Sequence, residues 1–186
     1  MINFLYRMFL TFNSTSLLIV VFFVKEQTVI DWKSIDESLA CFPNAVSYFI
    51  YFLIPVFLTL ISLFWARLLD DDSIENQSEK SRVTEVEQAN NAFLPSYLGY
   101  FFVALSVPYC ETLYFIFIVL FVFTFFSQTL YFNPLFLICR YQFYYLTTSN
   151  GVKVFIITKK SLKDPSKIDL PRLKRINDFT FIDMEK

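Results

Sequence analysis

The sequence predicts an α-helical integral membrane protein, with four transmembrane helices and a small cytoplasmic β-hairpin or three-stranded unit at the C-terminus. Three observations predict it. Four apolar runs reach or approach bilayer-spanning length. Lys and Arg are concentrated in alternate connecting segments. An Asn-Gly turn separates two runs rich in aromatic and β-branched residues.

The chain is 55% hydrophobic and 20% aromatic, with 25 Phe and only 2 Gly. A soluble domain is usually about 45–50% apolar, and its apolar residues are dispersed by helix or strand periodicity. Here they form long uninterrupted runs. Crossing a bilayer takes about 20 mostly apolar residues, because a helix rises ~1.5 Å per residue through a ~30 Å hydrocarbon core. Residues 4–24 meet this, with polar breaks at Thr11, Asn13, Ser14, Thr15 and Ser16. Residues 45–68 meet it with Pro55 inside. Residues 112–132 form the strongest run, in which Leu113 to Phe126 contains one polar residue, Thr124. Residues 93–108 are shorter and end at Pro108, which leaves a re-entrant segment open.

Charge decides for the fourth span. Cytoplasmic flanks carry an excess of Lys and Arg. With four spans and an inside N-terminus, the inner segments hold Arg7, Arg67, Lys80, Arg82 and the ten basic residues after Asn133, against Lys25 and Lys33 outside. A three-span reading would put the ten outside. Both termini are therefore expected in the cytoplasm, with a hairpin at Tyr109, Cys110 and Glu111 joining the last two spans. Cleavage of the first span as a signal peptide is disfavoured, because Lys25, Glu26 and Gln27 follow it in place of small residues.

The outer loop 25–44 is short, and Trp32, Cys41 and Phe42 are expected at headgroup depth. The inner loop 69–92 carries seven acidic residues against Lys80 and Arg82, and reads as a solvated extension of its flanking helices. In the basic segment 140–186, Tyr141 to Thr148 and Val152 to Thr158 flank Asn150-Gly151, a strong hairpin signal. Pro165 and Pro171 punctuate a basic linker, and Asp178 to Ile182 alternates in the manner of a third strand.

The chemistry points away from an enzyme. There is no His, the commonest general base and metal ligand. No phosphate loop, nucleophile elbow or zinc pattern occurs. No cofactor, metal or direct nucleic-acid binding is expected. Asn13-Ser14-Thr15 matches a glycosylation sequon but lies inside a predicted span. Thr11, Asn13 and Thr15 are expected to join helices by hydrogen bonds, between subunits in one reading, with pore lining as the competing role. Glu111 is expected to complement the dipole of the last span, with gating as the alternative. Cys41 and Cys110 both fall outside, so a disulfide is open to them if their Cα atoms lie within ~7 Å. Cys139 falls inside, where thiols stay reduced.

The four-span layout, the stretch Asn91-Ala92-Phe93-Leu94-Pro95-Ser96-Tyr97-Leu98-Gly99-Tyr100, and the block Asn133-Pro134-Leu135-Phe136 followed by Arg140-Tyr141-Gln142-Phe143-Tyr144 and the Asn150-Gly151 turn resemble the small membrane subunit of the bacterial Kiwa antiphage defence system. The resemblance runs from about the second span to the hairpin. The chain departs from it at Cys139-Arg140, where a small residue such as Gly is expected. The resemblance implies a homo-oligomer, a tetramer, in the bacterial inner membrane. It also implies a soluble cytoplasmic DNA-binding effector as partner, with the membrane subunit sensing infection at the envelope and controlling that effector. An oligomeric pore or channel that depolarises the cell is the competing function; a small transporter is weaker, since no charged residue sits mid-span.

The charge split suggests where such a partner docks. The tail could clamp the acidic loop of its own or a neighbouring subunit, lie on anionic lipid, or offer an edge strand and aromatic side chains to a soluble protein. The last is the expectation, since open edges are templates for strand addition. The docking residues would be Arg140, Tyr141, Phe143, Tyr145, Asn150, Gly151, Lys153, Phe155, Lys159 and Lys160.

Overall fold

A computed structural model describes residues 2–35, 43–74, 83–92, 94–127 and 133–185. Among the described residues, three helices are long and apolar enough to cross a membrane: α1 (Ile2–Lys25), α3 (Asn44–Trp65, continued by a 3-10 turn at Ala66–Leu68) and α5 (Cys110–Ser127). A single turn of helix, α2 (Trp32–Ile35), lies in the first loop, and α4 (Leu94–Ser106) is the short fourth apolar helix. The sequence-predicted spans fall on these helices, with α4 ending at Ser106 before the predicted 108, and with residues 93 and 128–132 outside the described region.

Helix α1 is the hub, packing against α3, α4 and α5. Its polar residues do not break it, because their hydroxyls fold back onto the helix. Thr11 Oγ1 donates to Arg7 O at 2.9 Å, Ser14 Oγ to Thr11 O at 2.9 Å and Ser16 Oγ to Asn13 O at 2.7 Å. Such back-bonding satisfies a hydroxyl where water is excluded. The helix ends where Gln27 turns left-handed (φ 52°), with Gln27 N donating to Val24 O and Thr28 N to Phe23 O. Those two bonds make a Schellman cap. Helix α5 is apolar all round, and its Phe117, Phe121 and Phe125 stack with centroids 6.5 and 6.4 Å apart.

Among the described residues, six strands form one mixed sheet in the order β1-β5-β6-β4-β3-β2: β1 Asp71–Ile74, β2 Val83–Gln88, β3 Gln142–Thr148, β4 Lys153–Thr158, β5 Leu170–Arg175 and β6 Thr180–Asp183. The β4–β6 pair is parallel and the others antiparallel. The predicted β3–β4 hairpin is present, pairing Gln142 with Thr158 through Thr147 with Lys153.

Two expectations are overturned. The acidic segment is not a solvated extension of helices, because it contributes β1 and β2 to opposite edges of the sheet. The tail is not a hairpin with at most one further strand, because it supplies four strands. The reason is burial. The hairpin is apolar on both faces, with Phe143, Phe155 and Ile157 in one core and Tyr144, Leu146, Val154 and Ile156 in the other. A strand pair apolar on both sides needs neighbours and cover. Strands β6 and β2 flank it, helix ends cover one face, and the loop bearing Leu162 and Ile168 covers the other. Pro171 sits inside β5 rather than in a linker. Its partner strand shifts register between Asp72 and Ile74, opposite Leu170 to Leu173, so the proline occupies a bulge where no ladder hydrogen bond is required.

Candidate functional site

The site is the junction where the helix bundle meets the sheet. Asn13 of α1 lies buried and its Nδ2 donates to Thr59 Oγ1 of α3 at 2.8 Å. Asn133, also buried, reaches the same oxygen from the segment after α5 at 3.4 Å, and its Oδ1 accepts from Leu135 N at 3.0 Å. Thr59 in turn donates to Pro55 O at 2.9 Å. One hydroxyl therefore ties three elements together. Tyr97 OH of α4 adds a fourth by donating to Ser14 O at 2.8 Å.

The chain after α5 turns back into the bundle. Leu135, in the short helix α6 (Leu135–Ile138), packs with Leu17 and Tyr97. Helix α4 has 13 residues, about 20 Å of rise, and this returning segment packs beside its first turn.

Thr11, Asn13 and Thr15 are each 0% exposed within a single chain. They do not lie on the surface of α1 open to a neighbouring subunit, as one reading of the sequence had it, because the part of α1 left exposed carries Phe4, Leu5, Met8 and Phe12 while the helix packs against α3, α4 and α5. Of the three, Asn13 joins helices of one chain through Thr59, whereas the Thr11 and Thr15 hydroxyls bond back onto α1 itself.

Toward the sheet, Tyr6 and Leu10 of α1 leave the bundle and enter the sheet core beside Ala66, Phe136, Phe143, Phe155 and Ile182. Asn3 Nδ2 donates to Asp70 Oδ2 at 2.8 Å and to Arg175 O at 3.3 Å. At its other end, Lys25 Nζ donates to Val107 O at 2.5 Å, after α4. One helix of 24 residues thus joins the loop end of the bundle to the sheet.

The tail residues expected to dock a partner divide into two groups. Tyr141, Phe143 and Phe155 are buried in the junction, so they are unavailable to a soluble protein. Nor is the hairpin an open edge, since β6 and β2 pair with its two strands. Tyr145 is half-buried against Phe155 at 5.4 Å, with Lys153 Nζ 4.5 Å above its ring. Lys153 pairs with Glu87 at 2.7 Å and Lys160 with Glu185 at 2.5 Å, while Lys159 lies over the Tyr141 ring at 4.8 Å. Asn150 and Gly151 are exposed at the turn, and Arg140 is exposed below α6. The basic tail does clamp its own acidic loop: Lys174 meets Asp71 at 2.7 Å, and β2 lies along β3.

Burial pushes the Cys139 thiol above its ordinary range, with Lys159 pulling it back. Burial likewise raises the Tyr141 phenol, assisted by Asp183. Asp183 is a buried carboxylate that the sequence did not single out; it accepts from Thr158 Oγ1 at 2.7 Å and Glu185 N at 2.9 Å. Its only sequence signal is alternation, which puts it on the face of β6 opposite Ile182. Glu111 is exposed in the first turn of α5. Trp32 is half-buried, whereas Cys41 and Phe42, and with Cys41 the disulfide to the exposed Cys110, lie outside the described residues. Among the described residues, no group of three or more Cys, Asp or Glu is placed to hold a metal.

Fold and junction together define a small protein of apolar, membrane-length helices, seated on a mixed sheet built from an inter-helix loop and the tail. Residues 6–182 match the family described as anti-phage protein KwaA, and the chain belongs to that family. No match is found among curated proteins or solved structures.

Proposed function

We propose that this anti-phage protein is a non-enzymatic sensor and scaffold of the Kiwa defence complex. It sits as a homo-oligomer, a tetramer, in the bacterial inner membrane with both termini cytoplasmic. There it detects envelope perturbation during infection and recruits or controls the soluble DNA-binding effector. The observation that carries this reading is the continuity of α1, whose one end meets Val107 and whose other end is packed into the sheet. A displacement of helices in the bilayer would reach the sheet without passing through a flexible linker. The sheet also supports four crossings. Strands before α4 and after α5 share it, so in a membrane-crossing chain an even number of crossings lies between them; with α5 as one, α4 would be the other.

Burial of the polar cluster of α1 within one chain supports the scaffold over the competing channel, because that cluster was the candidate pore lining. Deleting residues 140–186 would not isolate docking from folding, since it strips four strands and uncovers Tyr6 and Leu10. A cleaner test alters the exposed hairpin tip. Full-length chain carrying Asn150→Lys and Val152→Glu should enter the membrane at the normal level and lose the effector in detergent co-purification. Undiminished effector would move docking away from the tip. A wild-type chain that retains no effector, together with a steady selective current in planar bilayers, would overturn the scaffold reading in favour of a channel.

A further inference from the structure

We propose that the sheet-side end of α3 and strand β5 form a binding site for the phosphate of an anionic lipid headgroup, in the leaflet adjoining the sheet. This rests on the helices crossing a bilayer, and not on recruitment of an effector. Arg67 lies in the 3-10 turn that closes α3, between Phe64 and Leu68, which are 69% and 63% exposed. The apolar outer surface of α3 therefore ends at a guanidinium, and that guanidinium lies 5.7 Å from the Phe64 ring centroid. On β5, Arg172 and Lys174 flank Leu173, which is buried in the core on the far side of the sheet. Strand alternation turns both cations to the face on which the helices pack.

Arg67, Arg172 and Lys174 meet, with Asp71 and Met184, around a cavity of about 570 Å3. Lys174 is already committed. Its Nζ lies 2.7 Å from Asp71 Oδ1 and donates to Leu69 O at 2.9 Å, which offsets the carboxylate that lines the cavity among the described residues; Glu185, which also acts on Arg172, is paired with Lys160. Two guanidiniums remain as the net charge. Guanidinium presents paired donors that match phosphate oxygens, and it is more weakly hydrated than an ammonium. The cavity lies within the roughly 300–1,000 Å3 range of small-ligand sites. The exposed Phe64 and Leu68 beside it decide between sources of phosphate. A free anion has no use for an apolar rim, whereas the acyl chains of a lipid need one running from the headgroup into the bilayer.

The test is native mass spectrometry of the full-length chain in neutral detergent, titrated with dioleoylphosphatidylglycerol, with dioleoylphosphatidylcholine, and with inorganic phosphate. Phosphatidylglycerol should be retained in preference to phosphatidylcholine, and millimolar phosphate should not displace it. The double variant Arg67→Gln/Arg172→Gln should weaken retention about 30-fold, since each basic residue near an anionic leaflet is worth roughly fivefold. Arg67→Lys/Arg172→Lys should recover part of it, which separates loss of charge from loss of fold. Lys163→Gln/Lys167→Gln, equal in charge but outside the cavity, should bind as wild type. Equal retention of phosphatidylcholine, unchanged binding by the Gln variant, or equal loss in the Lys163/Lys167 variant would each overturn the site. Displacement by inorganic phosphate would overturn the lipid as its occupant. Recovery of the chain in the soluble fraction without detergent would instead sink the bilayer reading beneath it.

Discussion

Thr59 is the residue on which the bundle's polar core turns. It accepts from Asn13 and Asn133 and so joins α1, α3 and the segment after α5. In water-soluble proteins, stranding a buried donor costs about 1–3 kcal/mol. Between membrane helices the measured average is nearer 0.6 kcal/mol per bond, because the unfolded chain in lipid also finds partners. The smaller figure governs here, and two bonds between elements are at stake besides the local one to Pro55 O. Thr59→Val should therefore lower stability by about 1 kcal/mol, read as a fall in thermal midpoint in detergent. Combined with Asn13→Leu it should cost less than the two changes summed. Strict additivity would show that the bond contributes nothing. Cys139 gives a second residue-scale prediction. Burial raises its thiol and Lys159 lowers it, so Lys159→Gln should raise it further. Alkylation by N-ethylmaleimide at a fixed pH should then slow, and its pH profile should move to higher pH. A profile that stayed in place or moved down would contradict the arrangement.

At the scale of the element, two turns use left-handed backbone with opposite fitness. Arg140 follows α6 at φ 63°, with Arg140 N donating to Leu137 O and Tyr141 N to Phe136 O, and the Tyr141 and Phe136 rings 6.1 Å apart. That is a Schellman cap with its hydrophobic contact, and its left-handed position is ordinarily Gly. The resemblance's expectation of a small residue at Cys139-Arg140 thus has a physical basis. Gly151, at φ 74°, occupies the matching position in the hairpin, while its neighbour Asn150 does not use positive φ. Gly151 N donates to Thr148 O at 2.8 Å, so the loop is a turn closed by one left-handed glycine, and not the two-residue left-handed turn that Asn-Gly suggests. A left-handed L-residue costs roughly 1–2 kcal/mol. Arg140→Gly should therefore stabilise the chain and Gly151→Ala destabilise it, each by about 1 kcal/mol. Thermal midpoints that moved in the same direction would refute this assignment of turns.

For the whole molecule, the sheet acts as a constraint on topology. It gathers a loop, a tail and the first turns of α1 on one side of the bundle. A periplasm-active phosphatase fused after Lys186 should be inactive, and one inserted after Thr28 should be active. The reverse pattern, or activity at both positions, would break the four-crossing arrangement. Because β1 and β2 pair with tail strands, these two strands and the tail should also resist proteolysis together. Limited proteolysis of right-side-out and inverted vesicles would show whether both lose protection at one protease concentration.

The sequence by itself determined the helices, because bilayer-length apolar runs and the one-sided placement of Lys and Arg are local, one-dimensional properties. It determined the hairpin for the same reason: Asn150-Gly151 and its flanking runs are contiguous. It also carried the family, whose motif blocks were legible before any fold was known. Partnership between distant segments belonged to the tertiary structure alone. The acidic loop reads as solvent-facing charge because seven acidic residues outweigh its few apolar ones, and only the cross-strand presence of β3 turns Val83 and Val86 into strand residues. Thr11, Asn13 and Thr15 read as a polar stripe on an apolar helix, but whether a stripe is covered is set by what packs on the helix, and here α3, α4 and α5 pack on it while Thr11, Asn13 and Thr15 are buried. Tyr141, Phe143 and Phe155 look available on a lone hairpin. They are buried because α1 runs past the bundle and brings Tyr6 and Leu10 down onto them, a contact between residues more than 130 positions apart that no local pattern encodes.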